Sequence, residues 1–450
     1  MKKSKLVMST LVTMVGLSAI LSGCGSGSTP KSDGNADKAQ ATTAATATTA
    51  ASTDKKVSFQ WMAHTAYSAK SSDPKRVEYI NTSLESYKKA HPNVEIDSRD
   101  YDGKVSNLMI MASGDRAPDA AMIDAYMLPK FYKYLQPLDS YFEKAGLKID
   151  DFFPFAQSIM KGPDGKIYGI QFTTDTRVLY YRKDLVPTPP KTWDEVIQVG
   201  TKLKAAGYDA LLMPAGRAEA ASVSVVLPMF LSQGGELVNK EGKAVFGEGA
   251  NREKMLNVFN FLKKAADTGV TPKRSANIKN EADQNGDIAT DKVAMFIGGN
   301  WQVNQLKDTL GAERFAKYAV APVPTMSGEN AVAMSGGWAW GLFTKDPDKQ
   351  KAALDFLMQT YIGDKGMANW TTIGGYLPPR KSVYDNAEFK GNEFTKTFRE
   401  IMEKTGKARP ASDDYSLISE QLQIAASSVV SGSSTPEDAV NNAWKVLSQK

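Results

Sequence analysis

Along the first part of the chain the apolar positions switch between two spacings. Val57, Phe59 and Trp61 stand two apart and predict a strand. From Pro74 the spacing becomes three and four: Val77, Ile80, Leu84 and Tyr87 share one helix face, which Pro92 ends. Val94 and Ile96 return to the strand period. Val105, Leu108, Met109 and Met111 predict a short helix, closed by Ala112-Ser113-Gly114-Asp115, and Asp119 to Ile123 reads as a third strand. Strand, helix, strand, helix, strand is the order of a parallel sheet with right-handed crossovers. Ligands of such sheets bind beyond the carboxyl ends of the strands. The residues at those ends are His64 and Thr65, Tyr101 and Asp102, and Asp124 and Tyr126.

A second unit starts near Lys166-Ile167-Tyr168-Gly169-Ile170. It has expected strands at Val178–Tyr181, Ala210–Met213, Val293–Ile297 and Tyr318–Ala321. Thr192 with Glu195 three residues on forms a capping-box pattern at a helix start. Helices are expected around 219–233, 251–267 and 347–361, and the tail is largely helical near 392–405, 414–430 and 435–448. No repeat of fixed period is present.

The amino-terminal segment differs from the rest. Lys2, Lys3 and Lys5 precede an apolar run from Leu6 to Leu21, which is the layout of a secretory signal. The run is short for a membrane span and broken by Ser9, Thr10, Thr13 and Ser18. Leu21-Ser22-Gly23-Cys24 resembles the lipobox of bacterial lipoproteins, in which the cysteine thiol takes a diacylglycerol and becomes the first mature residue. Cys24 is the chain's only cysteine, so lipidation leaves no disulfide. Residues 25–56 are Gly, Ser, Ala and Thr with a few charges, and no apolar face. Such a segment cannot bury enough surface to offset its ordering entropy, so 24–56 is expected to be a disordered tether reaching about 100 Å when stretched. Loss of residues 1–23 takes three lysines from a formal charge of +5 and leaves +2, which is no basic footprint for nucleic acid.

Candidate chemistry follows from position and residue type. Three Gly-Gly pairs precede aromatics: Gly299 before Trp301, Gly337 before Trp338, Gly375 before Tyr376. Glycine lets backbone approach a ligand closely, and an indole face suits the CH face of a pyranose; a turn beside a core aromatic accounts for the same pattern. Trp301 stands just beyond a strand end. Trp338 and Trp340 are expected to face opposite sides of a strand, so that at most one meets ligand, while Trp61 and Trp444 read as core. Asp175 lies where the chain passes between the units. Its carboxylate suits two sugar hydroxyls, a turn, or an ion pair with Arg177. Arg217 and Glu219 follow a strand end and carry the same ambiguity. Asp283 to Asp287 starts like a calcium loop, but Ile288 stands in place of the required glycine and Ala294 in place of the closing glutamate, so a solvated turn is expected. His64 and His91 are the only histidines, too few for a histidine-rich metal site. No phosphate loop, Gly-x-Ser-x-Gly or His-Glu-x-x-His motif occurs, and no cofactor is expected.

Several stretches, in order, resemble the family-1 extracellular solute-binding proteins of carbohydrate ABC importers, the maltose-binding-protein-like group. They are Met111 to Asp119, Tyr168-Gly169-Ile170, Leu179 to Leu185, Pro190 to Glu195, and Val293 to Trp301. The resemblance implies an α/β, two-lobed fold. Each lobe would be a mostly parallel sheet flanked by helices, joined by hinge strands at Ile170–Thr174, Val320–Pro324 and after Trp338. The expected division is 57–172 plus 322–343 for the first lobe and 173–321 plus 344–450 for the second. By the same resemblance Asp175 and Trp301 meet ligand, Asp124 and Tyr126 lie on a cleft loop, Trp338 on a cleft wall, and Tyr415 is the tail's candidate. The full sugar-contact set of maltose-type proteins has no match here. The implied function is capture of a sugar, by preference an oligosaccharide, through lobe closure. Delivery to permease subunits would follow, from a monomer lipid-anchored at Cys24 on the outer face of the cell membrane in a Gram-positive type of bacterium. A surface glycosidase using the same aromatic chemistry is the competing class; a binder of a peptide, polyamine or metal is a third, with the scarce histidines against metal.

Overall fold

A computed structural model describes residues 55–449. The expected signal segment, Cys24 and nearly all of the tether lie outside the described residues. In chain order the strands are β1 (Val57–His64), β2 (Val94–Tyr101), β3 (Ala120–Asp124), β4 (Ile170–Asp175), β5 (Arg177–Arg182), β6 (Asp209–Leu212), β7 (Val293–Gly299), β8 (Tyr318–Ala321), β9 (Ala333–Met334), β10 (Gly336–Leu342) and β11 (Gly406–Lys407). They form a first sheet in the order β2-β1-β3-β10-β4, a second in the order β6-β7-β5-β8, and a two-stranded pair β11-β9.

Both sheets are mixed, where mostly parallel ones were expected. β1 pairs parallel with β2 and β3, and β6 with β7, but β10 is antiparallel to β3 and β4, and β5 to β7 and β8. The reason is the double crossing between the lobes. β4 leads out of the first sheet and β10 returns to lie beside it, so the two run in opposite directions. β5 and β8 stand in the same relation in the second sheet.

The helices form where the spacing predicts. Pro74–Ala90 starts with Asp73 accepting from the Lys75 amide at 2.9 Å and buries Ile80 and Tyr87. Trp193–Ala205 opens with the full Thr192–Glu195 capping box, and the Trp193 indole donates to the Pro324 carbonyl at 3.0 Å. The helix expected at 219–233 is irregular. A π-helical turn at Ala221–Val226 passes into Leu227–Leu231, and Pro228 in the first turn of the latter explains the change of pitch.

The segment 344–450 does not stay with the second lobe. Pro347–Leu357 packs on β1, and Asp364–Gly374 packs on Pro74–Ala90, both in the first lobe. Only Tyr415–Ser431 and Pro436–Ser448 pack on the second-lobe helix Gly249–Asp267. The third crossing is therefore 406–414, not the strand after Trp338. The first-lobe core is aromatic: Trp61, Trp340, Tyr361 and Trp370 are wholly buried, with neighbouring centroids 5.1–6.3 Å apart. Burying each such ring contributes roughly 1.5–3 kcal/mol or more. Among the described residues no helix is long and apolar enough to cross a membrane.

Candidate functional site

Sheet register brings the candidate residues into one row where the two lobes meet. In the first sheet Trp338 stands opposite Asp124 on one side and Thr173 on the other, and Gly336 opposite Asp175. Two residues further along the chain the second sheet begins, with Arg177 opposite Gly299. Thr176, between the sheets, donates its amide to Asn300 Oδ1 at 3.0 Å. The ends of β3, β4 and β7 and the starts of β5 and β10 thus converge.

Two arginines organise the polar groups of this row. Arg177, 11% exposed, pairs with Asp175 and reaches Glu281 Oε1 at 3.4 Å. Burial lowers the pKa of this guanidinium, and Asp175 and Glu281 outweigh burial and hold it above its ordinary value. Its planar group lies over the Trp301 ring at 4.8 Å. Of the three roles open to Asp175, the ion pair with Arg177 is the one present, and the same oxygen also accepts from the Gly336 amide at 3.1 Å. Glu281 is itself held by Ser224 Oγ at 2.6 Å.

Arg409, only 9% exposed, is the second centre. Nη2 reaches Asp124 Oδ1 at 3.2 Å and Nη1 reaches Glu219 Oε1 at 3.3 Å, while the guanidinium carbon sits 3.7 Å from the Tyr126 ring centroid. The Tyr415 hydroxyl donates to Glu219 at 2.6 Å, Ser419 donates to its other oxygen at 2.6 Å, and the Tyr126 and Tyr415 rings meet edge to face at 5.4 Å. The Asp124 carboxyl is raised to about 6: burial pushes it up, Arg409 pulls it back, and Asp175 and Glu219 add to the rise. A cavity of about 340 Å³ opens beside this cluster, walled by Tyr126 and Lys130 from the first lobe and by Lys240, Ser412 and Tyr415 on the other side.

The aromatic wall belongs to the first lobe. Trp338 is half-buried, with His64 at 5.2 Å and Tyr67 at 5.7 Å; Tyr67 stacks on Tyr376 at 5.3 Å and 14°. His64 Nδ1 accepts from the Ala66 amide at 3.0 Å, and burial lowers its pKa, so the ring is held as a neutral cap at the end of β1. Trp340, two residues on, is wholly buried; residues two apart share a strand face, so the two indoles do not face opposite sides as expected, and Trp338 packs at the edge of the same first-lobe core.

Of the sequence-derived candidates, Asp124, Tyr126, Glu219 and Tyr415 form one cluster, and Asp175 and Trp301 form its neighbour around Arg177. His64 and Trp338 make the aromatic wall. Arg217 points into solvent and joins neither cluster. Sequence reasoning missed Arg409, Glu281, Tyr67 and, as a site residue, Arg177. Tyr376 did carry a signal, the Gly-Gly before it. Gly375 takes a left-handed φ of 68°, which glycine adopts without strain. The calcium-like segment forms helical turns, Glu281–Gln284 and Asn285–Ile288, and among the described residues no group of three or more His, Cys, Asp or Glu is placed to hold a metal.

Carboxylates and guanidinium groups beside flat aromatic faces, drawn from two lobes, suit a ligand that presents hydroxyls at its edge and CH groups on its face. The curated relatives are consistent in kind. The chain is 24% identical over 317 residues to an arabinooligosaccharide-binding protein of Halalkalibacterium halodurans, covering 67% of each chain. It is 24% identical over 313 residues to a maltooligosaccharide ABC transporter solute-binding lipoprotein of Streptococcus pneumoniae, covering 68% of this chain and 70% of that one. Among solved structures it shares the fold of maltose-bound MalE3 of T. maritima, at TM-score 0.69 and 21% identity over 87% of this chain and 99% of the other. The sugar-binding protein MalE of Xanthomonas citri gives TM-score 0.71 and 21% identity over 87% and 96%. The sequence profile of the bacterial extracellular solute-binding proteins matches residues 82–396, and the chain belongs to that family.

Proposed function

We propose that the protein captures a sugar, an oligosaccharide by preference, in the cleft between its lobes and presents it to the permease of an ABC importer. The observation that carries this reading is the convergence of aromatic rings with ionised hydrogen-bonding groups along one interlobe row. Trp301 and Trp338 offer faces; Asp124, Asp175 and Glu219 offer acceptors; Tyr126, Tyr415 and His64 complete the walls. The names of the relatives, an arabinooligosaccharide binder and a maltooligosaccharide transporter lipoprotein, support the ligand class and the transporter. Ligand touching both lobes favours the closed state by its differential affinity, and the closed form is what a permease would read. In this reading the lobes divide at Thr176, at 322–335 and at 406–414, the monomer is the working unit, and a lipid on Cys24 holds it at the outer face of the cell membrane.

The protein acts as a binder and not an enzyme. The relatives are named as binding proteins, and the cleft carboxylates Asp124, Asp175 and Glu219 are each paired with an arginine, so none of them belongs to the unpaired couple that glycoside hydrolysis uses. Calorimetry of the mature chain against arabino- and malto-oligosaccharides tests the proposal. Stoichiometric heat without product is expected; released product would make it a glycosidase. Trp301→Ala and Asp175→Ala should each weaken binding about tenfold or more, the equivalent of about 1.4 kcal/mol, with an unchanged circular-dichroism spectrum. Unchanged affinity in both would remove the site assignment.

A further inference from the structure

We propose that Arg409 is a latch that holds the two lobes together in the absence of solute. The residue lies on 406–414, the segment that crosses between the lobes, and so belongs to the rigid body of neither. Its guanidinium takes one carboxylate from each side: Asp124 at the end of first-lobe β3, and Glu219 beyond second-lobe β6. It lies flat on Tyr126 of the first lobe, while Glu219 is fixed by Tyr415 and Ser419 of the second. The site is built for it: a side chain at Gly336 would begin 3.0 Å from Arg409 Nη2, so the bare glycine leaves the guanidinium its room.

Parting the lobes carries Asp124 and Glu219 away from each other, so one ion pair breaks, and the other loses the shielding that strengthens it. A two-carboxylate bridge through one planar fork needs arginine; a lysine is a point charge with no such fork. The latch also competes with solute. The oxygens of Asp124 and Glu219 are already occupied, and an incoming ligand reaches them by displacing the guanidinium. Closure by ligand, as proposed above, is thus an exchange of one bridge for another.

The test is made without solute, so it stands or falls apart from the sugar reading. Nitroxide labels at Lys130→Cys and Lys240→Cys, on opposite walls of the mouth cavity, are introduced into the full chain carrying Cys24→Ala, and their separation is measured by pulsed electron resonance. The parent should give one short, narrow distance peak. Arg409→Met, which keeps the aliphatic stem, and Asp124→Ala, which keeps the arginine, should each move the main peak to longer distance. Arg409→Lys should fall between them and the parent. Near-ultraviolet circular dichroism establishes that each variant is folded; if Arg409→Met is not, Asp124→Ala decides alone. A parent already at the long distance, or a folded variant that keeps the short peak, overturns the latch.

Discussion

Asp124 is a carboxylate caught between opposing demands. It has an arginine partner, yet burial and the nearby charges of Asp175 and Glu219 leave its pKa raised to about 6. A raised carboxyl favours the fold when protonated. Its stabilising share is therefore fully present below the unfolded value near 4 and is lost as pH rises through about 6. Other groups titrate too; buried His64, with its lowered pKa, slopes the opposite way. Comparison with Asp124→Asn, neutral at every pH, cancels them. The stability of the parent relative to that variant should fall by on the order of 1–3 kcal/mol between pH 4 and pH 7.5 and then level off. Denaturant unfolding at a series of pH values checks this, and a flat difference would mean that Asp124 titrates normally. Single residues of this kind were half legible in the sequence. Asp124, Asp175 and Glu219 announce themselves by standing at strand ends. Arg409 does not: it lies 285 residues from Asp124, in a stretch with no period and no motif, and only the folded chain brings the two together. Glu281 is hidden for the same reason, 104 residues from Arg177.

Among the elements, β10 does most to position the cleft. Its register to β4 shifts between Trp338 and Ala339, leaving Phe172 of β4 as the extra residue of a bulge; Trp338 stands at the cleft end of the strand and Trp340 deeper in the core. Gly337 makes the bend with φ of 127°, and a Cβ there would lie 2.0 Å from the Thr173 carbonyl oxygen. Gly337→Ala should cost at least about 2 kcal/mol from backbone strain and overlap. It should lower Tm by several degrees in a thermal melt and perturb the near-ultraviolet signal of Trp338; a melt within a degree of the parent would refute the role given to this bend. Most elements were readable beforehand because period and breakers are local: the helix between Pro74 and Pro92 and the Thr192–Glu195 box appear as the sequence suggests. Strand direction was not readable. A buried apolar run states that a segment is covered, not which neighbour covers it, so the antiparallel return of β10 and the placement of Pro347–Leu357 on β1 emerge only from the fold.

At the scale of the whole molecule, the proposed reading treats the two lobes, their three crossings and a lipid anchor on Cys24 as separable parts. If so, Cys24→Ala should release the protein into the culture medium while solute affinity stays within about twofold, under half a kcal/mol. Cell fractionation with calorimetry of the released chain checks both halves, and a parallel loss of affinity would join the anchor to the trap. The overall plan was legible because its stretches follow one another in family order, whereas the third crossing at 406–414 was not, since a helical tail carries no mark of which lobe it covers. One structural feature has an optical consequence. From half-buried Trp338 the rings run inward in steps of 5.1–5.7 Å, through Tyr67, Trp370 and Tyr361 to Trp340. Excitation absorbed by the tyrosines of such a line passes downhill to the neighbouring tryptophans, Trp338 among them, before it is emitted. Light gathered inside the core thus emerges in part from an indole at the cleft, and the native emission should report cleft occupancy with no added dye, a response that Trp338→Phe would diminish.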